Sequence, residues 1–86
     1  MEAMSLNVRF FALYRERAGV SDESYIVPGG ITVSSLVDII RVRHPNLAPP
    51  EVSIVVAVNG DYASAEMKLL NGDDIALIPP VSGGLN

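Results

Sequence analysis

The chain has no cysteine, so neither a disulfide framework nor a thiolate metal site is open to it. Histidine occurs once and lysine once, and six basic residues face ten acidic ones for a net charge of −4. That balance argues against nucleic acid as the main ligand and fits a basic partner surface better. No apolar run approaches the ~20 residues that cross a membrane, and no signal-peptide pattern opens the chain. The expected setting is the cytoplasm, with no membrane partner. Lacking staples, a chain of 86 residues forms one small domain that buries only about 60% of its unfolded surface and depends on well-matched packing. Its hydrophobic share of 49% supplies one core.

What is present reads as a series of short elements. Residues 1–5 are expected to lie outside the fold as a disordered extension, 6–78 to form the domain and 79–86 an extended tail. From Leu6 the pattern alternates, with Leu6, Val8, Phe10 and Ala12 inward and Asn7, Arg9 and Phe11 outward. Phe11 is the apolar exception on the outward side. Tyr14–Ala18 reads as a turn of helix stopped by Gly19. Ser24–Val27 reads as a second strand, antiparallel to the first and broken by Pro28-Gly29-Gly30. Thr32 is the expected N-cap of the main helix, in which Val33, Leu36, Val37 and Ile40 form one apolar stripe. Pro45 ends that helix near His44. There the single histidine is expected to satisfy carbonyls or face water, since no second metal ligand stands near it.

Val52–Val58 is nearly continuous in apolar residues and predicts a central strand buried on both faces. Asn59-Gly60 signals a hairpin, with Asp61–Ser64 returning. Asn71-Gly72-Asp73 turns the chain into a last strand, Asp74–Ile78, with Ile75 and Leu77 inward and Ala76 and Ile78 outward. Strand, strand, helix and two or three further strands predict an α+β domain. The arrangement is the β-grasp, or ubiquitin-like, fold: a mixed sheet of four to five strands with one main helix packed on one face.

The last stretch, Pro79-Pro80-Val81-Ser82-Gly83-Gly84, follows that strand directly. Neither proline has an N–H to donate and each fixes its own φ, so sheet pairing ends and a semi-rigid stalk begins. The two glycines lack Cβ and leave the carbonyl of Gly84 sterically open. A tail so slim suits threading into a narrow channel and presenting a terminal carboxylate for activation.

Taken in order, Phe10-Phe11-Ala12, Thr32-Val33, Val58-Asn59, Leu70-Asn71-Gly72-Asp73 and Pro79 to Gly84 resemble the MoaD-like proteins, the small sulfur-carrier subunits of molybdopterin synthase. The resemblance covers the chain from about Leu6 to Gly84. It implies a carrier and not a free-standing enzyme. In the family, an E1-like adenylating enzyme uses ATP to activate the terminal glycine carboxylate, and a sulfur donor (a sulfurtransferase) helps convert it to a thiocarboxylate. The loaded tail enters the large subunit of molybdopterin synthase and gives its sulfur to cyclic pyranopterin monophosphate. Carried over, Gly84 bears the sulfur and Gly83 is its slim neighbour. Phe11, Tyr62, Ile78, Pro79, Pro80, Val81 and Ser82 are the expected partner-binding residues. No cofactor or metal is expected on this chain.

Two readings of the same design stay open: a carrier for thiazole synthesis, tRNA thiolation or the tungsten cofactor, and a ubiquitin-like protein modifier. For the modifier, Lys68 is the only internal lysine for self-linkage. A purely structural interaction domain would leave the tail unused. The sequence also departs from the family pattern, because Leu85-Asn86 follow Gly84. The carbonyl of Gly84 is then a resonance-stabilised amide with no carboxylate to adenylate. Removal by a protease, or an origin foreign to the natural chain, is the expected explanation; the third is loss of the carrier role.

Overall fold

The computed structural model describes residues 2–80. Chain order is β1 (Ala3–Phe10), α1 (Ala12–Ala18), β2 (Asp22–Pro28), α2 (Val33–Arg43), β3 (Val55–Val58), β4 (Asp61–Tyr62) and β5 (Asp74–Ile78). The strands form one sheet in the order β2-β1-β5-β3-β4. β5 lies in the middle, parallel to β1 and antiparallel to β3. The outer pairs, β1 with β2 and β3 with β4, are antiparallel. This is the mixed sheet of a β-grasp fold.

Alternation fixes which sheet face is covered. Met4, Leu6, Val8 and Phe10 are buried while Ala3, Ser5, Asn7 and Arg9 are exposed. Tyr25 and Val27, Val56 and Val58, and Ile75 and Leu77 join the same core, together with Val33, Leu36 and Ile40 of α2. Each such side chain contributes ~1.5–3 kcal/mol by leaving water. The α2 start is as expected: Thr32 is extended and its hydroxyl accepts the Ser35 N–H at 3.2 Å. At the far end Arg41 donates to the carbonyls of Ala48, Pro49 and Val52, tying the following loop to the helix. The β3–β4 turn is built by Asn59 (φ 52°) and Gly60 (φ 91°), the left-handed pair that a two-residue hairpin of this hand demands.

Four expectations are corrected. The strand begins at Ala3, because Met4 continues the buried even-numbered register opposite Val27. It is only 7% exposed, and Glu2 accepts a hydrogen bond from the Gly29 N–H at 2.8 Å. Residues 3–5 therefore belong to the domain. Ala12 does not point inward; it is exposed and opens α1 with φ at 48°. Of the apolar run 52–58 only Val55–Val58 is strand. Val52 and Ile54 instead pack against the core from the loop, and β5 takes the central place. His44 is largely covered and its Nε2 meets a carboxylate, not water or a helix carbonyl, at 2.7 Å from Glu23 Oε1. Among the described residues no helix is long and apolar enough to cross a membrane.

Candidate functional site

The sheet face away from α2 is open, and its register brings the expected partner-binding residues together. Val55 lies opposite Ile78. Phe11 stands one residue beyond the Phe10–Leu77 pair, extended in backbone (φ −115°, ψ 149°) and so on the same side as Arg9. Phe11, Ile78 and Val55 thus form one row at the end where the chain leaves the sheet. The neighbouring row runs Tyr62, Ala57, Ala76, Arg9. Phe11 is 41%, Val55 42% and Tyr62 77% exposed, while Ile78, Ala76 and Pro79 are half-buried and Pro80 is exposed. Contiguous apolar surface of this kind marks an interaction site more often than scattered residues do. Val55 was missed in the sequence. Read as buried on both faces, it is instead the outward member of an alternation in which Val56 and Val58 face the core.

One ion pair stands beside this patch. Arg9 donates to both carboxylate oxygens of Asp74, at 3.3 and 2.6 Å. That hydrogen bond, with the charge behind it, holds the Asp74 carboxyl below its ordinary range against a smaller opposing effect of burial. The Arg9 guanidinium also lies 6.0 Å from the centre of the Phe11 ring, within cation–π range. The face is therefore apolar where the tail departs, with an ion pair beside it.

A separate polar cluster joins β2 to the end of α2. Glu23 Oε1 takes the Tyr25 hydroxyl at 2.9 Å as well as His44 Nε2, and Arg43 lies 3.8 Å away. The Arg43 guanidinium stacks over the Tyr25 ring at 4.1 Å, and His44 meets Phe10 edge-on at 5.3 Å. Burial raises the Glu23 carboxyl, but hydrogen bonds from His44 and Tyr25 and the nearby charges outweigh it and hold the group below its ordinary value. Burial, and then the bond to Glu23, push the Tyr25 phenol well up. This is a clasp between two elements, its contacts converging on Glu23 Oε1. Among the described residues no group of histidine and acidic side chains is arranged to hold a metal ion.

Val81, Ser82, Gly83 and Gly84 lie outside the described residues, as do Leu85 and Asn86. What is described is the root of the tail. β5 ends at Ile78 inside the apolar row, and Pro79-Pro80 continue from it.

The sequence profile of the ThiS family matches residues 8–84. The chain belongs to the ThiS family. The human molybdopterin synthase sulfur carrier subunit is 40% identical over 82 residues, covering 92% of this chain and 93% of that protein. The solved small archaeal modifier protein 1 of Haloferax volcanii is 29% identical, with a TM-score of 0.81 over 91% of this chain and 99% of that one. A chain in the complex of subunits 1 and 2 of the molybdopterin-converting factor from Helicobacter pylori is 27% identical, with a TM-score of 0.63, covering 94% and 100%.

Two of the landmarks in this ThiS-family chain have structural explanations. The Asn59 side chain donates to Asp73 Oδ1 at 3.0 Å and accepts the Asp74 N–H at 2.9 Å, while Asp73 Oδ2 accepts the Leu70 N–H at 2.8 Å. Val58-Asn59 and Leu70–Asp73 thus lock the hairpin to the start of β5. They place the strand whose far end carries the tail.

Proposed function

We propose that this chain is the sulfur carrier of a molybdopterin synthase, acting as its small subunit. The observation that carries the reading is the family match, which runs through Gly83 and ends at Gly84. The relatives named as molybdopterin synthase sulfur carrier subunits support it, as does the apolar row of Phe11, Ile78 and Val55 at the root of the tail. In this reading the Gly84 carboxylate attacks the α-phosphorus of ATP on an E1-like partner, and pyrophosphate leaves. A sulfur nucleophile then displaces AMP to give the thiocarboxylate, whose sulfur passes to cyclic pyranopterin monophosphate in the large subunit. A carboxylate is a poor acyl donor, and adenylation supplies the leaving group. Acid–base groups for these steps belong to the partners; the clasp at Glu23 and His44 is engaged in holding the fold. A protease that removes Leu85-Asn86 completes the scheme, since Gly84 must first present a free carboxylate.

The test is pyrophosphate release with the activating enzyme, measured on the full chain and on a version ending at Gly84. The longer form should be inert and the shorter one active. Equal activity would remove the processing step, and an inert short form would remove the carrier role. A second reading, a protein modifier, is favoured by the likeness to small archaeal modifier protein 1 and by the exposure of Lys68. Ladders of conjugates on immunoblots of the native host would select it.

A further inference from the structure

Among the described residues only two other than glycine have a positive φ, Ala12 at 48° and Asn59 at 52°. Asn59 is compensated: asparagine tolerates this region, and its side chain makes two hydrogen bonds there. Ala12 has only a methyl and is exposed, so no side-chain hydrogen bond offsets its strained backbone. The surrounding fold imposes it. β1 ends at Phe10 and α1 starts at Ala12, leaving a single residue, Phe11, in which to turn from strand to helix. The Phe11 carbonyl accepts from the N–H groups of both Tyr14 and Arg15, at 3.0 and 3.4 Å. Tyr14, 1% exposed, pins the short helix into the core, and Gly19 closes it in the left-handed conformation. Strain held in place in this way, next to an exposed aromatic residue, belongs to a working site more often than to a passive one.

We propose that Ala12 is a positioning residue for Phe11: its left-handed backbone, fixed by α1, holds the Phe11 ring ready on the open face before a partner arrives. The partner in question rests on the function proposed above, the large subunit of the synthase. Glycine at this position would relieve the strain but widen the range open to the Phe11 peptide, so that ordering is deferred to the binding step. Asparagine would keep the left-handed conformation with less strain.

Ala12→Gly, Ala12→Asn and Phe11→Ala, with Ala12→Gly also placed on the Phe11→Ala background, test this. Ala12→Gly should raise Tm by about 2–4 °C and weaken binding to the large subunit about three- to tenfold. Ala12→Asn should raise Tm while keeping the affinity, and Ala12→Gly should cost nothing further once Phe11 is removed. Unchanged affinity in Ala12→Gly, or an equal loss on the Phe11→Ala background, would overturn the assignment. A partner-free readout separates it from the function itself. In the isolated protein the side-chain couplings of Phe11 should report one dominant χ1 rotamer, averaged in Ala12→Gly and restored in Ala12→Asn. Averaging already present in the parent chain sinks the proposal, whatever the chain binds. Absence of large-subunit binding by a parent chain with a fixed Phe11 sinks the functional reading alone.

Discussion

Glu23 shows how much one side chain contributes when three neighbours converge on it. Its carboxylate receives His44 and Tyr25 and faces Arg43, and its folded-state pKa lies below the ordinary 4.5. A carboxyl with a depressed folded-state pKa adds stability above its unfolded pKa, and that stability is lost as pH falls through the folded value. Glu23→Gln should therefore lower Tm at neutral pH. The gap from the parent chain should narrow as the pH drops below 4.5, where the parent carboxyl also becomes neutral. Parallel Tm-against-pH curves for the two proteins would show that the clasp contributes nothing through charge. The sequence placed His44 at the end of its helix but could not pair it with Glu23. The two are 21 positions apart and meet only because α2 packs on the sheet face that Glu23 shares with Tyr25 and Val27 of β2.

At the scale of elements, the open face and its strands make the apolar row testable. Ile78→Ala or Phe11→Ala should weaken large-subunit binding by about 1–2 kcal/mol, the range of a good interface residue. Each should cost the fold less than that, because neither side chain belongs to the core cluster; titration calorimetry and denaturant melts on the same samples check it. An unchanged affinity at equal stability would remove the face from the interface. Most of these elements were legible from local pattern: the Thr32 cap, the Asn59-Gly60 hairpin and the in–out alternation of β5 are all set by residues within a few positions of one another. The extent of β3 was not. Val52 and Ile54 look like strand, but Arg41 of α2 takes the carbonyl of Val52 together with those of Ala48 and Pro49, and no local pattern reports a contact of that kind. The start of β1 failed for a similar reason, since Met4 gains its place from Val27 across the sheet. The outward positions of Phe11 and Ile78 were legible from strand alternation, and that of Tyr62 from its place after the hairpin; Val55 was hidden within an apolar run.

For the whole molecule, a net charge of −4 sets how partners approach. Complementary charge accelerates encounter, and salt screens it over about 10 Å at 0.1 M. The association rate with the large subunit should fall as ionic strength rises from ~0.05 to ~0.5 M, while the dissociation rate, which the proposed apolar contact would set, should change little. Stopped-flow mixing at several salt concentrations measures both, and a flat association rate would mean that the docking surface ignores the charge of the chain. The placement of the tail has a mechanical consequence as well. It continues β5, the strand with neighbours on both sides, so a pull on it runs along the strand axis. Ladder hydrogen bonds to β1 and β3 then bear the load together in shear and do not peel open one at a time. On the carrier function proposed above, a partner drawing the tail inward would therefore tug on the molecule where it is hardest to unravel, and could release it with its fold intact.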